Sequence, residues 1–518
     1  MRALPLLVLA NGLAHHVKAR TLPHASEALL DTPTITKRLI DFSQNPNTTS
    51  FAVNGSAIPD VSFDIGESYA GLIPIDASQP NGSALWFWFF PTENPAGSEE
   101  IVIWFNGCSS LEGLLEENGP FLWQPGTFRP VKNPWTWVNL TNVLWVEHGA
   151  DTGFSRGPFT AKNEEDIAAQ FTSWYKNFVD TFGLHGWKIY LTGESFGGYY
   201  VPYTTDAMLK QNDTDHYNVQ GIMIYDPSTS YDAIQTQVVA VPYVDHFSYL
   251  FNLNQTFMAD IHARADSCGY TDYFNRYMVF PPAGPLPAPP DVGTGCDLWT
   301  DIYDAVSIVN PCFSIYEITT SCPQLWDNLG FPGSRRYLPE GATVYFNRSD
   351  VQKAVNAPPT DWSQCANSRL STDDSLPSGI EVLPRIIERL DRTIIGHGDL
   401  DYILIGNGTL LMVQNMTWHG QQGLSAYPDK DLFVPYHSEA SEATLAGSGI
   451  LGKWRTERNV TYIHQFQAGH MIPQFQPAAS YRQLEFLLGR IDNLSQRIDF
   501  TTQNGDFGNN AQPGSCSV

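Results

Sequence analysis

The chain has 518 residues, 42% of them hydrophobic, and its formal net charge at pH 7 is −25. This length and apolar content are sufficient for a large buried core in a globular protein. The negative charge, with no clustering of Lys and Arg, argues against a nucleic-acid partner. An acidic working environment is favoured, because carboxylates that repel one another at neutral pH become protonated there.

The N-terminal segment has the features of a secretory signal. Met1 and Arg2 precede an apolar run over residues 3–14, and Ala19 offers a small residue for cleavage, so we expect a signal peptide over residues 1–19. No later stretch is long and apolar enough to span a membrane, and no membrane partner is expected. The predicted destination is extracellular, with the vacuole as the alternative.

Asn-x-Ser/Thr triplets support passage through a glycosylating pathway. The sequence contains eleven of them, where chance would give only about four. We expect about half to carry N-linked glycans. The acceptor positions are Asn47, Asn54, Asn81, Asn139, Asn212, Asn254, Asn347, Asn407, Asn415, Asn459 and Asn493.

Short apolar runs recur along the chain with helical or loop segments between them. Near-continuous apolar runs are typical of strands buried on both faces, so the alternation predicts an α/β fold with a mostly parallel sheet and helices on both sides. The predicted strands are 101–105, 143–147, 188–192, 221–225, 393–396 and 461–466.

The pattern of strands breaks in the middle of the chain. We interpret residues 231–338 as a loop-rich insertion over the carboxyl edge of the sheet, where ligands bind in such folds. The predicted organisation is a core in two parts, 20–230 and 339–495, around this insertion, followed by a polar tail over residues 496–518.

Seven cysteines favour disulfides over a metal site, because no two of them have C-x-x-C spacing. Four lie between residues 268 and 322, beside a proline-rich run, and two bridges are expected there. Cys516 in the polar tail is the expected unpaired cysteine.

Residues 193–197, Gly-Glu-Ser-Phe-Gly, are the strongest catalytic signal. Glycines two positions either side of Ser195 permit the sharp turn that exposes a nucleophilic serine between a strand and a helix. The preceding residues read as a strand and the following ones as a helix, as this motif requires. Ser195 is therefore a candidate nucleophile.

A nucleophilic serine needs a base, and the base needs an acid to orient it. In α/β-hydrolases these follow in the order Ser, Asp, His. Asp399 and Asp401 follow one predicted strand, and His470 follows the last one. The order and the positions at strand ends favour a triad of Ser195, His470 and one of the two aspartates.

Three segments resemble the signatures of the serine carboxypeptidases, α/β-hydrolases that remove C-terminal residues from peptides at acidic pH. They are ESFGGYYVP (194–202), GDLD (398–401) and AGHMIP (468–473). Further matches look most like secreted fungal members of the family and extend over roughly residues 50–490. They include WFNG (104–107), SSL (109–111), GP (119–120), TGFS (152–155), NPCF (310–313) and YFNRSDVQ (345–352).

The resemblance implies an α/β-hydrolase fold and a role for each matching residue. Ser195 would be the nucleophile, His470 the general base and acid, and Asp401 the orienting acid, with Asp399 as the alternative. No cofactor or metal is implied, and the substrates would be peptides and proteins. The expected oxyanion-hole amides are those of Phe196 and of the loop at Gly107. The residues matching the family's network for the substrate carboxylate are Asn106, Glu194, Glu117 and Trp104.

The resemblance also implies a Cys108–Cys365 disulfide. For the remaining four cysteines we favour the nested pairing, Cys268 with Cys322 and Cys296 with Cys312.

The chain departs from the family pattern in two places. Where the family has Asn-Gly-Gly-Pro-Gly before the cysteine, this chain runs Asn106-Gly107-Cys108 and is three residues short. Losing an oxyanion-hole donor typically costs about 100- to 1,000-fold in rate. The family also usually has Gln, Pro and Gly at 148, 149 and 151.

These departures leave alternatives to an active peptidase. One alternative is a catalytically weakened or non-catalytic relative. Another is an error in the sequence at the shortened loop. A different enzyme on the same scaffold, an acyltransferase or esterase, is the remaining alternative. It is disfavoured because Asn106, Glu117 and Glu194 are retained.

Overall fold

A computed structural model describes residues 41–107, 109–124, 126–150, 152–290, 292–323, 325–329, 341–365, 370, 373–437 and 447–503. The predicted signal peptide, Cys108, Asp151 and Cys516 lie outside these residues.

The described strands are β1 (Ala52–Val53), β2 (Ser68–Pro74), β3 (Ala84–Phe90), β4 (Glu100–Phe105), β5 (Phe121–Leu122), β6 (Val131–Lys132), β7 (Asn142–Val146), β8 (Lys188–Glu194), β9 (Asn218–Tyr225), β10 (Arg392–Gly398), β11 (Thr417–Trp418), β12 (Gln421–Gln422), β13 (Lys430–Val434), β14 (Gly449–Glu457) and β15 (Val460–Gln465). Eleven of them form one central sheet, in the order β1-β2-β3-β7-β4-β8-β9-β10-β15-β14-β13. Two small hairpin sheets pair β5 with β6 and β11 with β12.

The six strands predicted from the sequence form the parallel centre of this sheet. Neighbours β7-β4-β8-β9-β10-β15 are all paired in parallel. Their apolar runs are buried on both faces; every residue of β4, for example, is buried. The predicted α/β class and mostly parallel sheet are confirmed.

Antiparallel strands extend the sheet at both edges, and these were not predicted. On one side β3 pairs with β7 and with β2. On the other side β14 pairs with β15 and β13. In β3 the alternation of side chains places Trp86 and Trp88 in the core on one face of the sheet and Phe87 and Phe89 in the core on the other.

Helices cover both faces of the sheet. Aromatic residues of α1 and apolar residues of α2 and α9 pack in one core, and α12 packs in the other. The described helices are α1 (Glu164–Phe182), α2 (Gly197–Gln211), α3 (Val238–His246), α4 (Ser248–Phe251), α5 (Gln255–Ser267), α6 (Tyr270–Tyr277), α7 (Leu298–Val309), α8 (Ser349–Ala354), α9 (Val382–Ile387), α10 (Gly406–Asn415), α11 (Ile472–Phe475) and α12 (Pro477–Leu487). Among these helices, none is both long enough and apolar enough to cross a membrane.

The segment interpreted as a loop-rich insertion contains five helices, α3 to α7, which make up about half of its described residues. Their buried residues form a core of their own, which also includes Tyr402 and Ile405. Backbone hydrogen bonds join Ile318 to Leu400 and His470 to Tyr316, so this segment contacts the loops that follow β10 and β15. The division of the chain into core, insertion and tail stays a prediction.

The nested disulfide pairing is wrong. The bridges are sequential, Cys268 with Cys296 and Cys312 with Cys322. Cys268 directly follows α5, and the Arg264 side chain in α5 donates a hydrogen bond to the carbonyl of Gly295, at 2.8 Å. This contact holds the residues before α7 against α5, which brings Cys296 to Cys268.

The second bridge closes a short loop after α7. The Asn310 side chain donates to the carbonyl of Thr320 at 2.8 Å, and this contact brings the two ends of the loop together beside Cys312 and Cys322. Cys365 also takes part in a disulfide. Its predicted partner, Cys108, lies outside the described residues.

Candidate active site

Ser195 occupies a sharp turn between β8 and α2. Its φ is +60°, a left-handed conformation that residues with side chains rarely adopt. The flanking glycines make the turn possible, because a Cβ on Gly193 would lie 2.6 Å from the carbonyl oxygen of Phe105, and one on Gly197 2.9 Å from the same atom. The turn thus packs directly against the end of β4, with the Ser195 side chain half-buried above it.

Three parallel strands end at the predicted catalytic residues. Ser195 follows β8, Asp401 lies three residues after β10, and His470 follows β15. With β9 between β8 and β10, these strands are neighbours in the sheet, so their carboxyl ends meet at one edge. There His470 Nδ1 lies 2.8 Å from Asp401 Oδ2.

The surroundings of Asp401 determine which atom of the Asp401–His470 pair carries the shared proton. Burial opposes ionisation of Asp401, but attraction to His470 and hydrogen bonds from His397 and His470 outweigh it, and its pKa is lowered. An ionised carboxylate only accepts, so His470 Nδ1 carries the proton. The other ring nitrogen, Nε2, is buried and has no hydrogen-bond partner among the described residues.

Asp399, the alternative acid, has a different environment. Its carboxyl lies near the backbone amides of Gln467 and Ala468, and burial raises its pKa to about 7. Its backbone carbonyl accepts a hydrogen bond from the Tyr243 hydroxyl at 3.1 Å. Of the two aspartates, it is Asp401 that contacts the imidazole.

Two buried side chains beside Asp401, those of His397 and Asp226, were not predicted from the sequence. His397 Nε2 lies 2.6 Å from the carbonyl oxygen of Leu404, 3.4 Å from Asp226 Oδ1 and 3.5 Å from Asp401 Oδ2. Because a carbonyl only accepts, His397 Nε2 carries a proton. Burial, followed by repulsion from Asp401, raises the pKa of Asp226 well above its usual range.

The sequence held a signal for both missed groups. Each is a polar residue at the carboxyl end of a predicted parallel strand, Asp226 after β9 and His397 within the last residues of β10. Asp226, Asp401 and His470 also bring one potential metal-ligand atom each within 4.8 Å of one another. A carboxyl held protonated, as in Asp226, is a poor metal ligand, so this cluster fits proton chemistry better.

A second polar network lies next to the nucleophile. Asn106 Oδ1 accepts hydrogen bonds from Trp104 Nε1 at 2.7 Å and from the Gly113 amide at 2.9 Å. Its Nδ2 group is thereby presented to Glu117 Oε1 at 2.9 Å and Glu194 Oε1 at 3.4 Å. Because both donors fix the oxygen, the amide of Asn106 has one orientation.

Glu117 and Glu194 form a buried carboxyl pair. Burial raises the pKa of Glu194 well above its usual range, and repulsion from Glu117 adds to this effect. Burial also raises the pKa of Glu117, although hydrogen bonds with Glu194 and Asn106 and attraction to His470 oppose it. The pair therefore keeps a proton at acidic pH and can donate a hydrogen bond.

Glu117 is brought to the pair by a π-helical turn, Gly113–Glu117. The turn approaches the end of β4 closely, since a Cβ on Gly113 would lie 2.0 Å from Trp104 Nε1. Gly113 is therefore required for the network around Asn106 to close.

Gly107 lies against the nucleophile. A Cβ at this position would be 3.2 Å from both the Ser195 hydroxyl oxygen and the Phe196 amide nitrogen. Gly107 is therefore close to both the nucleophilic hydroxyl and the amide that follows it. Cys108, where the chain is shorter than the family pattern, lies outside the described residues.

The residues after Cys108 are held by a buried glutamate at the end of β7. The Ser109 hydroxyl donates to Glu147 Oε1 at 2.7 Å. Burial raises the pKa of Glu147 to about 8, although the hydrogen bond from Ser109 opposes this. Next along the chain, His148 is enclosed by the rings of Phe105, Phe171 and Tyr200, and burial lowers its pKa to about 3. Both groups are thus uncharged over most of the acidic to neutral range.

Comparisons with known proteins find relatives that match most of the chain. A probable serine carboxypeptidase of Arthroderma benhamiae is 53% identical, over 92% of this chain and 93% of the relative. Serine-type carboxypeptidase F of Aspergillus niger is 45% identical, over 85% of this chain and 87% of the relative. A solved prohormone-processing carboxypeptidase from Saccharomyces cerevisiae matches the fold with a TM-score of 0.63 at 20% identity, over 87% of this chain and 99% of that one. The family model for serine carboxypeptidases matches residues 59–489, and the chain belongs to the serine carboxypeptidase family.

Proposed function

We propose that the chain is an acid-active serine-type carboxypeptidase, which releases C-terminal residues from peptides and proteins through an acyl-enzyme. The observation that carries this proposal is the carboxyl pair of Glu117 and Glu194, both of which Asn106 Nδ2 contacts, with Glu194 directly before the nucleophile Ser195. A proton-holding carboxyl beside a nucleophile suits a substrate whose scissile bond is next to a free carboxylate.

In the proposed reaction His470 Nε2 takes the proton of the Ser195 hydroxyl as the oxygen attacks the substrate carbonyl. The proton on Nδ1 faces Asp401, so Nε2 is the ring nitrogen that acts as the base in the neutral imidazole. The amides of Phe196 and Gly107 stabilise the oxyanion. His470 then protonates the leaving amine, and water hydrolyses the acyl-enzyme by the same path.

The terminal carboxylate of the substrate is bound by the network around Asn106. Asn106 Nδ2 and a protonated Glu117–Glu194 pair supply hydrogen-bond donors, and Trp104 holds Asn106 in the required orientation. Once the pair is fully ionised it repels a carboxylate. Binding and activity therefore decline as the pH rises through the pKa of the pair.

An acyltransferase or esterase on the same scaffold remains the second candidate. It would need the triad but not a site for a terminal carboxylate, and the buried Asn106–Glu117–Glu194 network argues against it. A weakened enzyme, predicted from the short loop at Gly107, stays a prediction. Secretion with N-linked glycans is also proposed, and it is supported by the absence of any buried asparagine among the eleven described acceptor positions.

The deciding experiment compares two blocked dipeptides that differ only at the C-terminus. We expect the free acid to be cleaved at acidic pH, with kcat/KM at least about 100-fold above that of the C-terminal amide, because the amide lacks the charge that the network binds. The esterase alternative predicts that acid and amide are treated equally, and that a simple ester is the better substrate. Equal hydrolysis of acid and amide would therefore overturn the carboxypeptidase assignment.

A further inference from the structure

A cluster of two histidines and three aspartates lies at the end of the sheet opposite Ser195. Asp180 is in the last turn of α1, His185 lies just before β8, and His216 lies just before β9. Ser195 follows the far end of β8, a seven-residue strand, so the cluster is roughly 20 Å or more from the nucleophile. It takes no part in the chemistry proposed above.

The ring nitrogens of both histidines converge on one carboxylate oxygen. Asp180 Oδ1 lies 3.1 Å from His216 Nε2 and 3.7 Å from His185 Nε2. Asp180, His185 and His216 can each offer one ligand atom such that all three atoms lie within 4.8 Å of one another. The other oxygen of Asp180 is bound by Lys176 at 2.7 Å, so Oδ1 is the atom left for a ligand role.

A second carboxylate orients each imidazole ring through its other nitrogen, Nδ1. His185 Nδ1 lies 2.8 Å from Asp215 Oδ2, and His216 Nδ1 lies 2.7 Å from Asp213 Oδ2. In metal sites a ligating histidine almost always donates its other ring N–H to a carboxylate, carbonyl or water, which fixes the tautomer with the free nitrogen towards the metal. Here both histidines have this arrangement.

The loops that carry the two histidines are tied together. The Gly186 amide donates to the carbonyl of Asp215 at 2.7 Å. The Asn218 side chain donates to the carbonyl of Gly186 at 2.9 Å. Gly183 ends α1 with φ of +74°, which turns the chain so that His185 lies beside the end of the helix. The ligand positions are thus set by backbone contacts that need no metal.

Carboxylates outnumber the cationic lysine around the two rings. Asp180, Asp213 and Asp215 face His185 and His216, and Lys176 contacts Asp180. A divalent cation at the two Nε2 atoms and Asp180 Oδ1 would be attracted by these carboxylates.

We propose that Asp180, His185 and His216 bind a transition-metal ion of the Zn²⁺ class, with Asp213 and Asp215 as orienting partners. Two imidazole nitrogens and one carboxylate oxygen suit Zn²⁺, Co²⁺, Ni²⁺ or Cu²⁺ better than the oxygen-seeking Mg²⁺ or Ca²⁺. The side chains of Asp180 and His185 are 43% and 44% exposed, which leaves room for water at the remaining coordination positions. The site ties the end of α1 to the segments before β8 and β9, so the bound metal stabilises the fold.

The test is a Zn²⁺ titration of the full chain, stripped with a chelator, by calorimetry at pH 7.5. We expect one saturable site whose affinity falls at least tenfold in His185→Ala and in His216→Ala, as loss of a ligand or its support typically costs about 10- to 100-fold. His262→Ala is the matched control, because His262 is also exposed and lies 3.0 Å from an aspartate, Asp245, but has no second histidine facing that carboxylate. It should bind Zn²⁺ like the unaltered chain.

A second measurement keeps the test valid if a variant folds poorly. Each variant is first checked for active-site labelling by a fluorophosphonate, which the remote histidine changes should leave intact. Co²⁺ added to the unaltered chain should give the visible absorption of a site with nitrogen ligands, and this spectrum should be lost in His216→Ala. The proposal is overturned if no saturable site tighter than about 0.1 mM is found, or if correctly folded His185→Ala and His216→Ala variants bind Zn²⁺ as tightly as the control.

Discussion

His470 Nδ1 lies 2.8 Å from Asp401 Oδ2, whereas the carboxyl of Asp399, two residues earlier, lies near the backbone amides of Gln467 and Ala468. The two aspartates of one short motif therefore have different surroundings. One orients the imidazole, and the other supports the turn before it.

Substitution of each aspartate by asparagine separates these roles. Asp401→Asn should lower kcat by about 1,000-fold or more, because an amide no longer holds His470 in the tautomer that accepts the serine proton. Asp399→Asn should stay within about tenfold of the unaltered enzyme. Steady-state kinetics of peptide hydrolysis measure both. A larger loss for Asp399→Asn would reverse the assignment of the orienting acid.

The pH dependence of activity should come from the Glu117–Glu194 pair. Raised pKa values mean that the pair holds a proton at acidic pH and loses it as the pH rises, so kcat/KM should fall towards neutral pH. Glu194→Gln should flatten this decline, because an amide donates a hydrogen bond at every pH. The profile is measured from about pH 4 to pH 8 with the same dipeptide. An unchanged profile in the variant would remove Glu194 from carboxylate binding.

His397 should act as a positioning residue for Asp401. Its Nε2 atom carries a proton and faces Leu404, Asp226 and Asp401. His397→Ala should lower kcat by about tenfold with little change in KM, since Asp401 then loses the N–H that faces it. His397→Gln, whose side-chain amide supplies an N–H, should retain part of the activity that His397→Ala loses. Steady-state kinetics that show His397→Gln to be as impaired as His397→Ala, or no loss of kcat in either variant, would show that this role is wrong.

The free energy of unfolding should decrease as the pH rises, because of Glu147. Its pKa is raised to about 8 in the fold, against 4.5 for an ordinary glutamate, so between these values the folded chain binds a proton that the unfolded chain has lost. The free energy of unfolding therefore declines from pH 4.5 to about pH 8, with a slope from this group of at most about 1.4 kcal/mol per pH unit. Glu164, whose pKa burial also raises to about 8, adds a slope of the same sign.

Glu147→Gln tests this contribution because it keeps an acceptor for Ser109 but cannot ionise. Urea unfolding at several pH values should give a shallower decline for this variant than for the unaltered chain. Glu99→Gln, the same change at an exposed position, is the control and should keep the original slope. Parallel curves for Glu147→Gln and the unaltered chain would show that Glu147 ionises in the fold as it does in the unfolded state.

The sequence predicted those features whose cause lies in one segment. The six parallel strands were found because apolar runs between 101 and 466 are buried on both faces. The turn at Ser195 was found because the two glycines and the serine with positive φ lie within five consecutive residues. Motifs with such local causes carry their own signal.

What the sequence did not reveal depends on contacts between distant segments. The disulfide pairing is set by the contact of Arg264 with Gly295, which no cysteine spacing encodes. His397 and Asp226 come together because β9 and β10 are neighbours in the sheet. The antiparallel strand β14 was missed because charged residues such as Lys453 and Arg455 interrupt its apolar pattern.

The most direct test of the account is the behaviour of Ser195→Ala. The unaltered chain should release the C-terminal amino acid from a blocked dipeptide at acidic pH and gain the mass of one fluorophosphonate adduct. Ser195→Ala, with an unchanged circular dichroism spectrum, should gain no adduct and lose at least about 10,000-fold in kcat/KM, because the acyl-enzyme cannot form without the hydroxyl. Turnover by Ser195→Ala within tenfold of the unaltered chain would contradict the proposed mechanism.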